Sequence, residues 1–158
     1  MNTTNIDEDE YEHPIFGKVI DRYTRAQAIE DGVLIDVTAE ASETGFRSPV
    51  AITAAAHALF VATPEEMRSW GQSDRGRLHD VLWMCYVAIR NAPTSVLEAS
   101  PRLPFQFLSV NTEDEAKLMT EEARPRATCR LRPRTLHAHA GPDDDGRLCI
   151  TIMLPEEY

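Results

Sequence analysis

The segment Arg77-Leu78-His79-Asp80-Val81-Leu82-Trp83-Met84-Cys85-Tyr86-Val87-Ala88-Ile89-Arg90 places Leu78, Val81, Leu82, Cys85, Ala88 and Ile89 at helical spacing. Trp83, Met84, Tyr86 and Val87 fill most of its other faces. A helix this apolar around its circumference is predicted to be central and covered on more than one side. Asn91 and Pro93 end it. The matching surface lies near the C-terminus, where Leu148, Ile150, Ile152 and Leu154 alternate with Cys149, Thr151 and Met153, the period of a strand. The helix is predicted to pack on the face built from Leu148, Ile150, Ile152 and Leu154.

Toward the N-terminus the elements are short. Thr24 is a good N-cap for a helix over Arg25 to Glu30, and Gly32 supplies the left-handed position that ends it. Val33 to Val37 is a β-branched run, either a strand or a buried connector. Thr38 is placed to cap a helix over Ala39 to Thr44, closed by Gly45, and Pro49 breaks the chain. Thr53 starts an alanine-rich helix from Ala54 to Val61. Thr63-Pro64-Glu65-Glu66 reads as a cap, a proline at the first helical position and two carboxylates at the positive end of the dipole. Gly71 to Gly76 reads as a turn.

Toward the C-terminus, Phe105 to Val110 alternates as a strand. Asn111 to Arg126 is polar and reads as a loop insertion. Ala127 to Leu131 and Thr135 to Ala140 are strand-like, separated by Arg132-Pro133-Arg134, and Gly141 to Gly146 is a turn. The fold class is therefore α+β: N-terminal short helices and one central buried helix packed on a C-terminal antiparallel sheet. Residues 1–18, dense in carboxylates, read as an acidic flexible tail, and 19–158 as a single α+β domain.

The formal net charge of −10 argues against direct binding to nucleic acid or to an anionic membrane surface, both of which need clustered cations. It suits a partner protein with a basic surface. Met1 to Glu12 is polar and acidic, so no signal peptide is expected, and a cytoplasmic location follows. Cys85, Cys129 and Cys149 are too scattered for a disulfide framework and read as reduced, buried thiols.

His137 and His139, two apart on a strand, share one face and could hold a metal together, with Asp143 to Asp145 near enough in sequence to add an oxygen. The plainer alternative is the polar face of a half-buried strand, and no cofactor is expected. His79-Asp80 opens the core helix, where Asp80 complements the dipole. His57 reads as a half-buried histidine of an alanine-rich helix. Ser73-Asp74-Arg75-Gly76-Arg77 precedes a helix start, where anions bind, but it holds one glycine and no Lys-Ser/Thr. Arg124, Arg126, Arg130, Arg132 and Arg134 form a basic stretch, either a charged strand edge or a docking stripe. No Gly-x-Ser-x-Gly, Cys-x-x-Cys or His-Glu-x-x-His motif occurs.

Four segments resemble an uncharacterised protein family of plasmids, phages and integrative elements. They are Tyr23-Thr24-Arg25-Ala26-Gln27-Ala28-Ile29-Glu30-Asp31-Gly32-Val33-Leu34-Ile35-Asp36-Val37, Gly45-Phe46-Arg47 through Pro49-Val50-Ala51-Ile52-Thr53, Gly76 through Met84, and the ending Ile150-Thr151-Ile152-Met153-Leu154-Pro155. His79 stands where the resemblance leads one to expect Trp. The resemblance implies a setting of mobile DNA and no established activity. With the acidic balance, it leads to the expectation of an accessory protein that binds and inhibits a host defence or nucleic-acid-handling complex without catalysis. The expected contacts are Asp143, Asp144, Asp145, Glu113, Asp114 and Glu115. The alternatives are a small metal-dependent or other enzyme using the His137/His139 face, and a regulatory or structural protein of the element.

Overall fold

The computed structural model describes residues 12–13, 17–18, 23–69, 71–109 and 131–157. Glu113, Asp114, Glu115, Arg124, Arg126, Arg130, Cys129 and all but Leu131 of the expected strand over Ala127 to Leu131 lie outside the described residues. Two two-residue strands, β1 (Glu12–His13) and β2 (Gly17–Lys18), pair antiparallel with each other inside the stretch read as a tail.

Helix α1 (Arg25–Glu30) begins as predicted. Thr24 accepts from the Gln27 amide while the Gln27 side chain returns to the Thr24 amide. Gly32, at φ +75°, ends it and releases the chain into β3 (Leu34–Asp36). Helix α2 (Thr38–Thr44) differs in its cap. Val37 holds the cap position, and Asp36 Oδ1 accepts from the Thr38 amide and hydroxyl at 2.9 and 2.5 Å. A carboxylate two residues upstream thus does the work expected of Thr38, whose hydroxyl accepts from the Val50 amide.

Strand β4 (Val50–Thr53) was not foreseen as a strand, and it changes the sheet. All four of its residues are buried, so it carries no apolar–polar alternation to read. Thr53 then caps α3 (Ala54–Phe60) by accepting from the Ala56 amide. In α4 (Glu65–Arg68) Pro64 holds the cap position, and the Thr63 hydroxyl turns back to the Val61 carbonyl rather than capping.

The long helix α5 (Asp74–Asn91) starts three residues before the predicted Arg77, because Ser73 caps it through the Gly76 amide. A short helix, α6 (Thr94–Ala99), and strands β5 (Arg102–Ser109), β6 (Arg132–Pro142) and β7 (Leu148–Met153) follow. The segment Arg132-Pro133-Arg134 does not interrupt β6. β7 pairs with β6 only from His137 onward, so Pro133 lies where the missing N–H costs no rung to β7.

The expected α+β architecture is present. Its sheet is five-stranded and mixed, in the order β3-β4-β7-β6-β5, with β4 parallel to β7 and the other pairs antiparallel. Register aligns one row across all five strands, Leu103–Ala138–Ile152–Ile52–Ile35, facing the helices. The neighbouring row, Arg102–His139–Thr151–Ala51–Asp36, faces the other way.

The core joins Leu78, Val81, Leu82 and Cys85 of α5 to Ile150 and Ile152, with Leu154 packed against it. Two expectations are corrected here. Leu148 is 57% exposed, because it opens β7 beyond the reach of the helices. α5 is covered by β5 on one side and by the end of α2 on another, where Tyr86 meets Phe46, but not all round: Trp83 is 47% exposed, and Met84 is exposed beside it.

Candidate functional site

The turn between β6 and β7 gives each of its three aspartates a partner. Asp143 Oδ1 accepts from the Asp145 and Arg147 amides at 2.9 and 2.8 Å, closing the turn around Gly146. Asp144 reaches across to α1, where its two oxygens accept from the Arg25 and Ala26 amides at 2.8 and 2.9 Å. These are orphan donors of a helix start, so Asp144 is a second cap supplied from more than a hundred residues away. Asp145 pairs with Arg147. Replacing Asp144 with Ala is expected to cost about 1–2 kcal/mol, the range for losing a cap. Asp145→Ala, which breaks an exposed ion pair, should change stability by less than about 0.5 kcal/mol. Urea midpoints of the two variants check the contrast.

This docking gathers Asp143, Asp144 and Asp145 at one end of α1, with Glu30 and Asp31 at the other. A six-residue helix is about 9 Å long, so Asp144 at its start and Glu30 at its end are separated along its axis by about one Debye length. Among the described residues, Arg25 and Arg147 are cations set against these carboxylates. Arg25 is turned onto Thr151 Oγ1 and the Ile150 carbonyl, and Arg147 is held by Asp143 and Asp145. Tyr23 and Val33 are exposed at the same helix, with the Tyr23 hydroxyl 3.0 Å from Asp31.

His137 and His139 share the face predicted for them, both half-buried. His137 stands between Pro104 and Met153, and the β5 neighbour of His139 is a cation. Arg102 stands opposite His139, and its guanidinium reaches Met153 Sδ and the Glu157 carbonyl. The carboxylates of Asp143 to Asp145 are directed to α1, to their own turn and to Arg147. Among the described residues no group of three His, Cys, Asp or Glu is placed to hold a metal.

The start of α5 is occupied rather than open to an anion. Asp74 accepts from the Thr63 amide at 2.8 Å and from Arg68 at 3.1 Å. The Thr63 hydrogen bond, aided by Arg68, holds its carboxyl below the usual value. Arg75 pairs with Glu43. Cys85 is buried, which pushes its thiol up to about 12 and leaves it protonated at neutral pH. Cys149 is buried and free as well.

A cleft between α5 and the end of β5 had no counterpart in the sequence reading. Its volume is about 480 Å³. Phe60, Trp83, Met84, Phe107 and Leu131 supply apolar walls, and Arg77 and Asp80 are polar points within it. Arg77 is only 7% exposed, with Nε donating to the Phe60 carbonyl at 2.9 Å and a terminal nitrogen 3.3 Å from Met67 Sδ. The imidazole of His79 stacks on Trp83, with ring centroids 6.4 Å apart and planes 7° apart. A helical i, i+4 relation brings the two rings together.

Fold and surface together define an α+β protein with a mixed five-stranded sheet, an acidic face at α1 and an aromatic-walled cleft at α5. The model of the Family of unknown function (DUF6573) matches residues 15–158, and the chain belongs to that family. No curated protein and no solved structure matches it. Among the described residues no helix is long and apolar enough to cross a membrane.

Proposed function

We propose that this protein is an accessory protein of a mobile genetic element that binds a basic surface on a host defence or nucleic-acid-handling complex and inhibits it by occupancy. The observation that supports this most is the bond between Asp144 and α1, which brings Glu30, Asp31, Asp143, Asp144 and Asp145 onto one short stretch of surface. Carboxylates spaced within a Debye length add their fields, and such a field steers association with a Lys/Arg-lined surface. Exposed Tyr23 and Val33 supply the apolar contact that charge alone lacks. The mobile-DNA setting rests on the resemblance of the four segments and narrows the partner to complexes that handle nucleic acid. Glu113, Asp114 and Glu115 remain proposed further contacts.

The test is capture from host lysate by the tagged full chain and by two charge variants. Glu30→Gln/Asp31→Asn/Asp145→Asn removes three charges from the α1 face and spares both caps. Glu40→Gln/Glu43→Gln removes charge from α2. A basic protein complex should be retained by the native chain and the α2 variant and lost by the α1 variant. Raising salt from about 0.1 M to about 0.5 M should release it. Equal retention by all three proteins would contradict the proposal.

A further inference from the structure

The outward face of α5 carries an order of its own. Buried Leu78, Val81, Leu82 and Cys85 turn one side of the helix inward. At about 100° per residue, Asp80, Trp83, Val87 and Arg90 fall together on the opposite side, at spacings of three, four and three. That spacing is the seam along which one helix packs on another. The middle of the seam is apolar: Trp83 is 47% exposed, Met84 is exposed on its flank, and Val87 is half-buried. Its two ends, Asp80 and Arg90, are exposed and opposite in charge. Two of these side chains are oriented in advance. His79 stacks on the Trp83 indole, and Arg90 lies over the Tyr86 ring, 5.7 Å from its centroid, while donating to its hydroxyl at 3.0 Å. Side chains ordered in this way lose less freedom on binding.

The seam is complementary to its own reverse. Cys85 lies midway between Asp80 and Arg90 in sequence, and midway between Trp83 and Val87. A two-fold axis at that level sets α5 antiparallel to α5 of a second copy. Each Asp80 then faces Arg90 of the second copy, and each Trp83 faces its Val87. A parallel pairing would instead set Asp80 on Asp80 and Arg90 on Arg90.

We propose that this face is the interface of a homodimer, in which two copies of the chain pack antiparallel along α5 with Trp83 as the anchor. The dimer does not rest on the proposed partner protein. It leaves both acidic faces outside the interface, because α1 reaches the opposite face of the sheet through Arg25 and Thr151. The seam from Asp80 to Arg90 is about 15 Å long. That places it at the small end of specific interfaces, so a dissociation constant on the order of 10 μM is expected.

Sedimentation equilibrium of the full chain tests it, over concentrations from about 1 to about 300 μM. The salt is set at about 0.15 M, where a Debye length of about 8 Å screens the repulsion between two copies of net −10. A reversible monomer–dimer equilibrium should appear, with no larger species. Trp83→Ser should weaken it at least about tenfold, as loss of a central aromatic anchor does. Leu97→Ser alters an exposed apolar residue of α6 away from the seam and should leave it unchanged.

Charge reversal tests the antiparallel register. Asp80→Arg alone sets like charges against each other at both ends of the seam, and so does Arg90→Asp alone. Each variant should self-associate about tenfold more weakly than the native chain. Mixed together, the two variants restore opposite charges at both ends and should form a heterodimer about as tight as the native dimer. The double variant Asp80→Arg/Arg90→Asp should likewise recover self-association, a gain that loss of structure would not produce. A monomer at every concentration, equal weakening by Leu97→Ser and Trp83→Ser, or two charge variants that fail to associate with each other would overturn the proposal.

Discussion

Replacing Leu82 with Ala is expected to destabilise the protein by about 2–5 kcal/mol, the range for truncating a fully buried leucine. Leu82 is completely buried in the middle of α5, in one cluster with Val81, Cys85, Ile52 and Ile152. The cost has two parts: apolar surface no longer removed from water, and a hollow the sheet cannot close by moving. Ile52 and Ile152, in the same cluster, sit on adjacent strands in fixed register, so this part of the core is held by the β4–β7 ladder. Met84→Ala, two residues along and exposed, should change stability by less than about 0.5 kcal/mol. Equilibrium denaturation of the pair gives the comparison, and similar midpoints would place α5 outside the core.

Gly45→Ala should cost about 2–3 kcal/mol, from two sources. Gly45 ends α2 at φ +118°, a conformation that side chains rarely adopt, and such strain is of order 1–3 kcal/mol. A Cβ there would also stand 3.1 Å from Tyr86 Cζ and 3.2 Å from its hydroxyl oxygen. Tyr86 cannot retreat freely, since its ring is packed edge-on against Phe46 and lies beneath Arg90. Gly32 separates the two effects. It also has a positive φ, at +75°, but a Cβ there would meet nothing within 4 Å. Gly32→Ala should therefore be the milder change, by about 1 kcal/mol. Equal losses in thermal or urea denaturation would mean that the contact with Tyr86 contributes nothing.

Much of the architecture was legible because its elements repeat a simple period. The α5 face at Leu78, Val81, Leu82 and Cys85 and the alternation of Phe105 and Phe107 each bury one side of an element, and a buried side leaves a pattern. β4 left none, since Val50, Ala51, Ile52 and Thr53 are all buried. A four-residue apolar run before a helix cap is indistinguishable in sequence from a connector. α6 follows Pro93 and buries none of its residues, so no apolar stripe announces it. The exposure of Trp83 and Met84 was misjudged for a different reason. Apolar character says that a side chain can be covered, not that another element of the same chain covers it.

The candidate sites divide along the same line. The His137/His139 pairing followed from the two-residue period of a strand. The capping of α1 by Asp144 did not, because it joins residues 118 and 119 positions apart that no local pattern relates. The α5 cleft is likewise assembled from a helix and two strand ends distant in sequence. Its one local signal was the pair of large apolar side chains on the outward side of α5.

The acidic face at α1 is proposed to steer the protein onto a basic partner. The most direct measurement is the association rate with the captured partner, for the native chain and for Glu30→Gln/Asp31→Asn/Asp145→Asn, at about 0.1 M and about 0.5 M salt. Electrostatic steering acts on encounter, so the variant should associate more slowly while its dissociation rate changes less, and the difference between the two proteins should shrink at the higher salt. An association rate that is the same for both proteins and independent of salt would contradict the account.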